Sequence, residues 1–206
     1  MDLNCSFIEV YDDALTEEEC SLLIDQFEKD PRQDEGVMNM DGRNQTDHAI
    51  KKCKQLSLKL DDNSIISKIA GPALRSCVKE YTKKYDVLEN TNTWRIDPGY
   101  NVQKYTTRDE GYKRWHCEYS PAPLVNLRIG AWMFYLNDAE SGTDFKNFPT
   151  IDAKMGRCVI WPAFWTHMHR SHPNKGLKYI LTGWISHDFK PAGFLTRGLH
   201  LPIQER

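Results

Sequence analysis

Hydrophobic positions along the chain change their period near residue 90. Before that point two stretches recur at helical spacing. Leu22, Leu23, Ile24 and Phe27 give one its apolar face; it opens with the capping-box pair Thr16 and Glu19 and stops at Asp30-Pro31. The other spans about 64–85 on Ile65, Ile69, Leu74, Val78 and Tyr81, with Gly71-Pro72 inside it as a point of kinking or division. Both read as scaffold. A short strand over 7–11 precedes them, and the Gly-, Asn- and Asp-rich stretch 33–44 reads as a loop open to motion.

Beyond Asn90, short runs of β-branched and aromatic residues alternate with turn residues. The pattern predicts strands over 93–96, 101–105, 114–119, 127–136, 143–145, 157–161 and 178–185. Helices first and strands afterwards, with no βαβ alternation, argue for an antiparallel sandwich or barrel with helices packed on one side. The fold class is α+β, mainly β. The organisation expected is one domain over 1–206: helical support over about 1–90, a β core over about 91–190, and an irregular tail over 191–206.

Composition changes this picture little. A chain of 206 residues is long enough for one substantial core and short for two. The 27 basic and 29 acidic residues nearly cancel, so no global charge draws the chain to nucleic acid or an anionic membrane. No stretch approaches the roughly 20 apolar residues of a membrane span. The first residues carry acids and no basic region, unlike a secretory signal. The sequons at Asn4 and Asn44 therefore read as chance. The six cysteines are scattered without a C-x-x-C pair, so neither a disulfide framework nor a zinc site is indicated. The expectation is a reduced, cytoplasmic protein.

Two clusters carry candidate chemistry. The first is Trp115-His116-Cys117-Glu118; in a strand, His116 and Glu118 share a face and chelate together. The second is Thr166-His167-Met168-His169-Arg170-Ser171-His172, after the apolar 159–162. Two histidines and a carboxylate make the facial triad of non-haem Fe(II) oxygenases, which leaves three positions free, two for a 2-oxo acid and one for O₂. The residues alone leave His167, His169 and His172 open as the third ligand.

Several separated motifs resemble one family. Tyr105, Gly111-Tyr112 and His116 match a run of tyrosine, glycine, aromatic and H-x-D. Tyr135-Leu136-Asn137 followed by Ser141-Gly142-Thr143-Asp144-Phe145 resembles a "YLN…GG-T-x-F" segment, and Gly156-Arg157 with Ile160-Trp161-Pro162 resembles the strand before the distal histidine. His169, Pro173, Gly176, Lys178 and Thr182-Gly183-Trp184 resemble the ending "H-x-x-x-P…G-x-[RK]…T-x-W". The span 94–188, with 7–11 and 15–20 before it, is thereby similar to the prolyl 4-hydroxylase-like Fe(II)/2-oxoglutarate-dependent dioxygenases, including their microbial and phage relatives. One departure stands out: the family usually has aspartate where this chain has Glu118.

The resemblance implies a double-stranded β-helix (jelly-roll or cupin-like) core with the N-terminal helices packed on one sheet. It implies Fe(II) held by His116, Glu118 and His169, since only His169 stands at the family's spacing from Pro173 and Lys178. It implies 2-oxoglutarate as co-substrate beside O₂, its distal carboxylate paired with Lys178, and Tyr105, Tyr135 and Thr182 as hydroxyl donors. A buried carboxylate requires such a cation. Trp184 shares the parity of Lys178 and reads as core packing. The implied reaction hydroxylates an unactivated C–H bond, releasing succinate and CO₂. A peptidyl proline is the substrate that the family suggests, with Trp115, Arg114 and Trp165 as candidate contacts; Trp132 and Phe164, like these tryptophans, also suit the core. A free amino acid or small metabolite is the alternative substrate. A non-catalytic jelly-roll binding module and a Zn²⁺ or Mn²⁺ cupin-type enzyme are the other readings. Neither accounts for the metal ligands and Lys178 together.

Overall fold

The computed structural model describes residues 6–36, 38–40, 43–60, 63–91 and 94–188; the tail 191–206 lies outside them. In chain order the elements are β1 (Glu9–Tyr11), α1 (Glu17–Lys29), β2 (Asp34–Glu35), β3 (Met38–Met40), β4 (Arg43–Gln45), β5 (Lys51–Lys52), β6 (Lys54–Lys59), α2 (Ile65–Lys84) and α3 (Asp86–Thr91). The strands β7 (Trp94–Tyr105), β8 (Gly111–Tyr112), β9 (Arg128–Tyr135), β10 (Gly142–Phe145), β11 (Phe148–Asp152), β12 (Cys158–Pro162), β13 (His169–Ser171) and β14 (Lys178–His187) follow.

The main sheet is antiparallel in the order β1-β12-β9-β14-β7-β6-β2. Its strands alternate between two faces. Tyr100, Val102, Trp132, Phe134, Ile160, Tyr179 and Leu181 point to one side and form a core with Leu23 and Phe27 of α1 and Leu74 and Val78 of α2. Tyr105, Met133, Tyr135, Trp161 and Ile180 point to the other and meet Phe145 of the small sheet β11-β10-β13. The pair β5-β8 lies beside that small sheet, with the Tyr112 amide donating to Ser171 Oγ at 2.9 Å. This is the double-stranded β-helix with helices against one sheet. Among the described residues, no helix is long and apolar enough to cross a membrane.

The capping box of α1 forms as its sequence dictates: Thr16 Oγ1 accepts the Glu19 amide and Glu19 returns a bond to the Thr16 amide at 2.9 Å. Helix α2 runs unbroken through Pro72. The carbonyl that proline leaves without a donor belongs to Lys68, on the exposed face, where solvent reaches it. The stretch expected as a loop over 33–44 is instead partly paired: β2 joins the main sheet at β6, and β3 and β4 form a hairpin. The strands expected over 93–96 and 101–105 are one strand, β7.

The strand expected over 114–119 is not regular. Only His116 pairs, exchanging backbone bonds of 3.0 and 2.8 Å with His169. The Glu118 and Tyr119 amides then share one acceptor, the Ala163 carbonyl, each at 3.0 Å. Pro121 and Pro123 lie just beyond and supply no donors, so the ladder cannot continue.

Candidate metal centre

A cavity of about 520 Å³ opens between the two sheets. His116, Glu118 and His169 lie in its wall, and their donor atoms all fall within 4.8 Å of one another. Glu118 Oε1 is 3.3 Å from His169 Nε2 and 3.6 Å from His116 Nε2. Both imidazoles have the same tautomer imposed from behind. His116 Nδ1 donates to the Arg114 carbonyl at 3.0 Å, and His169 Nδ1 to the His167 carbonyl at 2.9 Å. Each Nε2 lone pair therefore faces the shared point, the orientation that metal-binding histidines require. Tyr112 stacks on the His116 ring at 3.6 Å, and Trp161 packs edge-on to His169 at 5.1 Å.

Burial pushes the Glu118 carboxyl up, but the neighbouring His116 and His169 rings outweigh this and hold it well below the usual carboxylate range. Burial pushes His116 down, and the neighbouring His169 adds to that. The site thus presents two imidazoles and one carboxylate, a donor set that suits Fe(II) and leaves room for a chelating co-substrate.

The other two histidines point elsewhere. His167 ends a 3₁₀ turn rather than lying in a strand, and its Nε2 meets the Ser6 carbonyl at 2.7 Å. His172 bonds Asp144 Oδ1 at 2.8 Å.

Further along the same cavity stands Lys178, only 2 % exposed. Its Nζ donates to Ser141 Oγ at 2.8 Å and lies 5.0 Å over the Tyr105 ring. Burial pushes its pKa down to about 8, and the field of Asp144 opposes that only in part. Tyr105 and Tyr135 are buried, and burial raises both phenols. Their hydroxyls engage Gln103 Oε1 at 2.5 Å and Thr143 Oγ1 at 2.7 Å. Thr182 lines the cavity and donates to the Trp132 carbonyl at 2.8 Å.

The remaining candidates sit away from this wall. Trp165 is 74 % exposed, Arg114 is exposed, and Trp115 lies half-buried under the Arg170 guanidinium at 4.6 Å; none of the three lines the cavity. Trp132 is core. Trp184 is not mere packing: its indole N–H donates to Glu118 Oε2 at 2.6 Å. Sequence reading also missed Gln55, Ser57, Asn101 and Gln103, a polar strip on β6 and β7 facing the cavity. Their spacing of two residues, Gln55 to Ser57 and Asn101 to Gln103 to Tyr105, is the available signal.

Residues 100–186 match the 2OG-Fe(II) oxygenase superfamily. No curated protein matches the chain. Among solved structures, it resembles a Trichoplax adhaerens prolyl hydroxylase in complex with a hypoxia inducible factor peptide fragment, at 18% identity and a TM-score of 0.68 over 90% of this chain and 86% of that one. A viral collagen prolyl hydroxylase from Paramecium Bursaria Chlorella virus-1, as its 2-oxoglutarate complex, aligns at 16% identity and TM-score 0.62 over 91% and 99%. A Pseudomonas putida prolyl-4-hydroxylase gives 12% and 0.62 over 90% and 95%. At these identities the structural likeness is one of fold. The superfamily match covers the strands that build the cavity, and together with the fold of the prolyl hydroxylases it supports a 2-oxoglutarate-dependent dioxygenase.

Proposed function

We propose that His116, Glu118 and His169 hold the Fe(II), that Lys178 binds the distal carboxylate of 2-oxoglutarate, and that the protein hydroxylates a prolyl residue in a peptide. The observation that carries this is the pairing, in one cavity, of three convergent donors with a buried lysine that has no carboxylate bonded to it among the described residues. A buried cation without a counter-ion is costly, and a dianionic co-substrate removes that cost.

When bound, iron with 2-oxoglutarate and O₂ supplies the oxidant that places one oxygen atom in a C–H bond, while the co-substrate loses CO₂ to become succinate. The chain's own residues do the binding and orienting. Lys178 keeps its proton at Nζ and hydrogen-bonds the carboxylate, with Ser141 Oγ beside it. The Tyr105 hydroxyl reaches the same carboxylate by rotating its hydrogen away from Gln103. Thr143 fixes the Tyr135 hydroxyl next to it. Trp161, Met133 and Ile180 exclude water between the two ends. No side chain has to act as nucleophile or base.

A peptide substrate is supported by the cavity rim. Tyr119 and Leu124 both line the cavity and are exposed, Leu124 at 77 %, and Phe164 packs on Tyr119 at 5.4 Å. An apolar rim of this kind suits a chain that continues past the reacting residue. The peptide named in the Trichoplax structure points the same way. The two cores share the main sheet, which supports one oxygenase domain.

The test is anaerobic binding of 2-oxoglutarate to the Fe(II) protein, read as the visible charge-transfer band, followed by turnover with proline-containing peptides and with free proline. Peptides that gain one oxygen atom with matching succinate support the full reading. Gain on free proline alone replaces the peptide by an amino acid. No band in folded, iron-loaded protein overturns the residue assignments.

A further inference from the structure

Glutamate at position 118 poses a geometric problem. Its carboxylate sits one methylene further out than an aspartate's, free to swing and to offer both oxygens to one cation. A two-oxygen contact would occupy one of the three positions that the facial triad leaves open, and the chelate and O₂ need all three.

The structure removes that freedom. Oε1 faces the imidazoles, 3.3 Å from His169 Nε2. Oε2 is turned away and accepts the Trp184 indole N–H at 2.6 Å. The indole is fixed in turn: the Arg128 guanidinium lies 3.6 Å over its ring, with Nη1 3.6 Å from the same Oε2. The backbone aims it too. Pairing of β14 with β7 shifts register between Gly183 and Ile185, where β7 carries the extra residues Asp97-Pro98-Gly99, so Trp184 pairs only with Ala131 of β9. Such bulges redirect side chains beside functional sites.

We propose that Trp184 is a positioning residue that holds Glu118 to a one-oxygen presentation, so that a carboxylate longer than the family's usual aspartate leaves the co-substrate positions free. This rests on the triad reading above. It predicts that Trp184 matters because residue 118 is glutamate. An aspartate, with its carboxylate drawn back, does not reach the indole.

The experiment is a double-mutant cycle in 2-oxoglutarate affinity, with Co(II) as the bound metal and no O₂ or substrate present, read by visible absorption. Wild type, Trp184→Phe, Glu118→Asp and the double variant are compared. Trp184→Phe is expected to weaken 2-oxoglutarate binding about tenfold or more, in line with loss of a group that orients a metal ligand. In the Glu118→Asp background the same change is expected to cost under about threefold. Equal costs in both backgrounds, or no cost in either, overturn the proposal and leave Trp184 as packing. Wild type that binds neither Co(II) nor 2-oxoglutarate overturns the triad reading instead. Should Trp184→Phe fail to fold, indole ¹⁵N–¹H spectra of wild type and Glu118→Asp decide. One charge-assisted downfield indole resonance that moves upfield in Glu118→Asp supports the contact, and an unchanged set of indoles overturns it.

Discussion

Lys178 and Tyr105 face each other directly across neighbouring strands of the main sheet, and the ammonium rests 5.0 Å over the phenol ring. The ring covers the lysine from solvent and offers it only a weak π partner. Burial therefore brings Lys178 down to about 8, and this one group sets a pH dependence on the co-substrate. Below that pH the lysine is already charged and binding is flat. Above it, the free protein must take up a proton to pair with the carboxylate. The apparent Kd for 2-oxoglutarate should rise about tenfold per pH unit above 8, as single-proton linkage requires. Titrations of the metal-loaded protein across pH, with Lys178→Arg as the control that stays charged, check this. A flat wild-type profile between about 7 and 9.5 would separate Lys178 from the co-substrate.

The same lysine should lower the stability of the protein without co-substrate. Its folded pKa, about 8, lies below the ordinary 10.5, so the unfolded chain holds more protons between those values and stability rises with pH across that window. Below pH 8 the whole penalty is present, about 3 kcal/mol at most. Lys178→Met should therefore raise the Tm near pH 7 by several degrees, lose that advantage near pH 10.5, and abolish 2-oxoglutarate binding. Calorimetry of both proteins at the two pH values measures it. A variant less stable than wild type at pH 7 would mean that the bond to Ser141 contributes more than burial costs.

The helices, the capping box and most strands were legible in the sequence because each shows a clean period: Leu23 and Phe27 on α1, and Ile180, Thr182 and Trp184 against Tyr179 and Leu181 on β14. Strand β6 was not. Leu56 and Leu58 enter the helix-side core while Gln55 and Ser57 line the cavity, and nothing in so short a polar face marks it as part of a site. His116 and Glu118 were found through a strand parity that does not extend beyond one bridge; they converge because Glu118 and Tyr119 share the Ala163 carbonyl. The contact of Trp184 with Glu118 joins residues 66 apart in sequence, and no local pattern encodes it.

The three neighbouring histidines should separate cleanly in metal binding. His169→Ala removes a donor of the convergent set and should abolish Co(II) binding at micromolar protein. His172→Ala removes a half-exposed pair with Asp144 and should leave metal affinity unchanged, since exposed pairs contribute little. His167→Ala should also keep the metal, because the acceptor for His169 Nδ1 is its backbone carbonyl. It should nevertheless lose about 1–3 kcal/mol of stability, as the Ser6 carbonyl loses its partner. Metal titration and thermal unfolding of all three variants distinguish ligand from scaffold. Loss of the metal in His167→Ala with an intact fold would move the third ligand.

Gly156 should prove the most demanding backbone position away from the cavity. Its φ is 77°, in the left-handed region, and a Cβ there would stand 2.3 Å from the Leu15 carbonyl oxygen. The Leu15 amide donates to the Gly156 carbonyl at 3.1 Å, and the Gly156 amide to the Tyr135 carbonyl at 2.9 Å. The turn thus ties the start of α1 to the end of β9, and neither backbone can retreat without breaking a bond. Gly156→Ala should cost about 3 kcal/mol, combining left-handed strain with the clash. For a chain of this size that is roughly 10 °C in Tm. Gly176, with open space around its Cβ position and no positive φ, is the control, and alanine there should shift the Tm by no more than a degree or two. Equal shifts at the two positions would show that the turn adapts, and that the helix layer is less tightly fixed to the cavity sheet than these bonds imply.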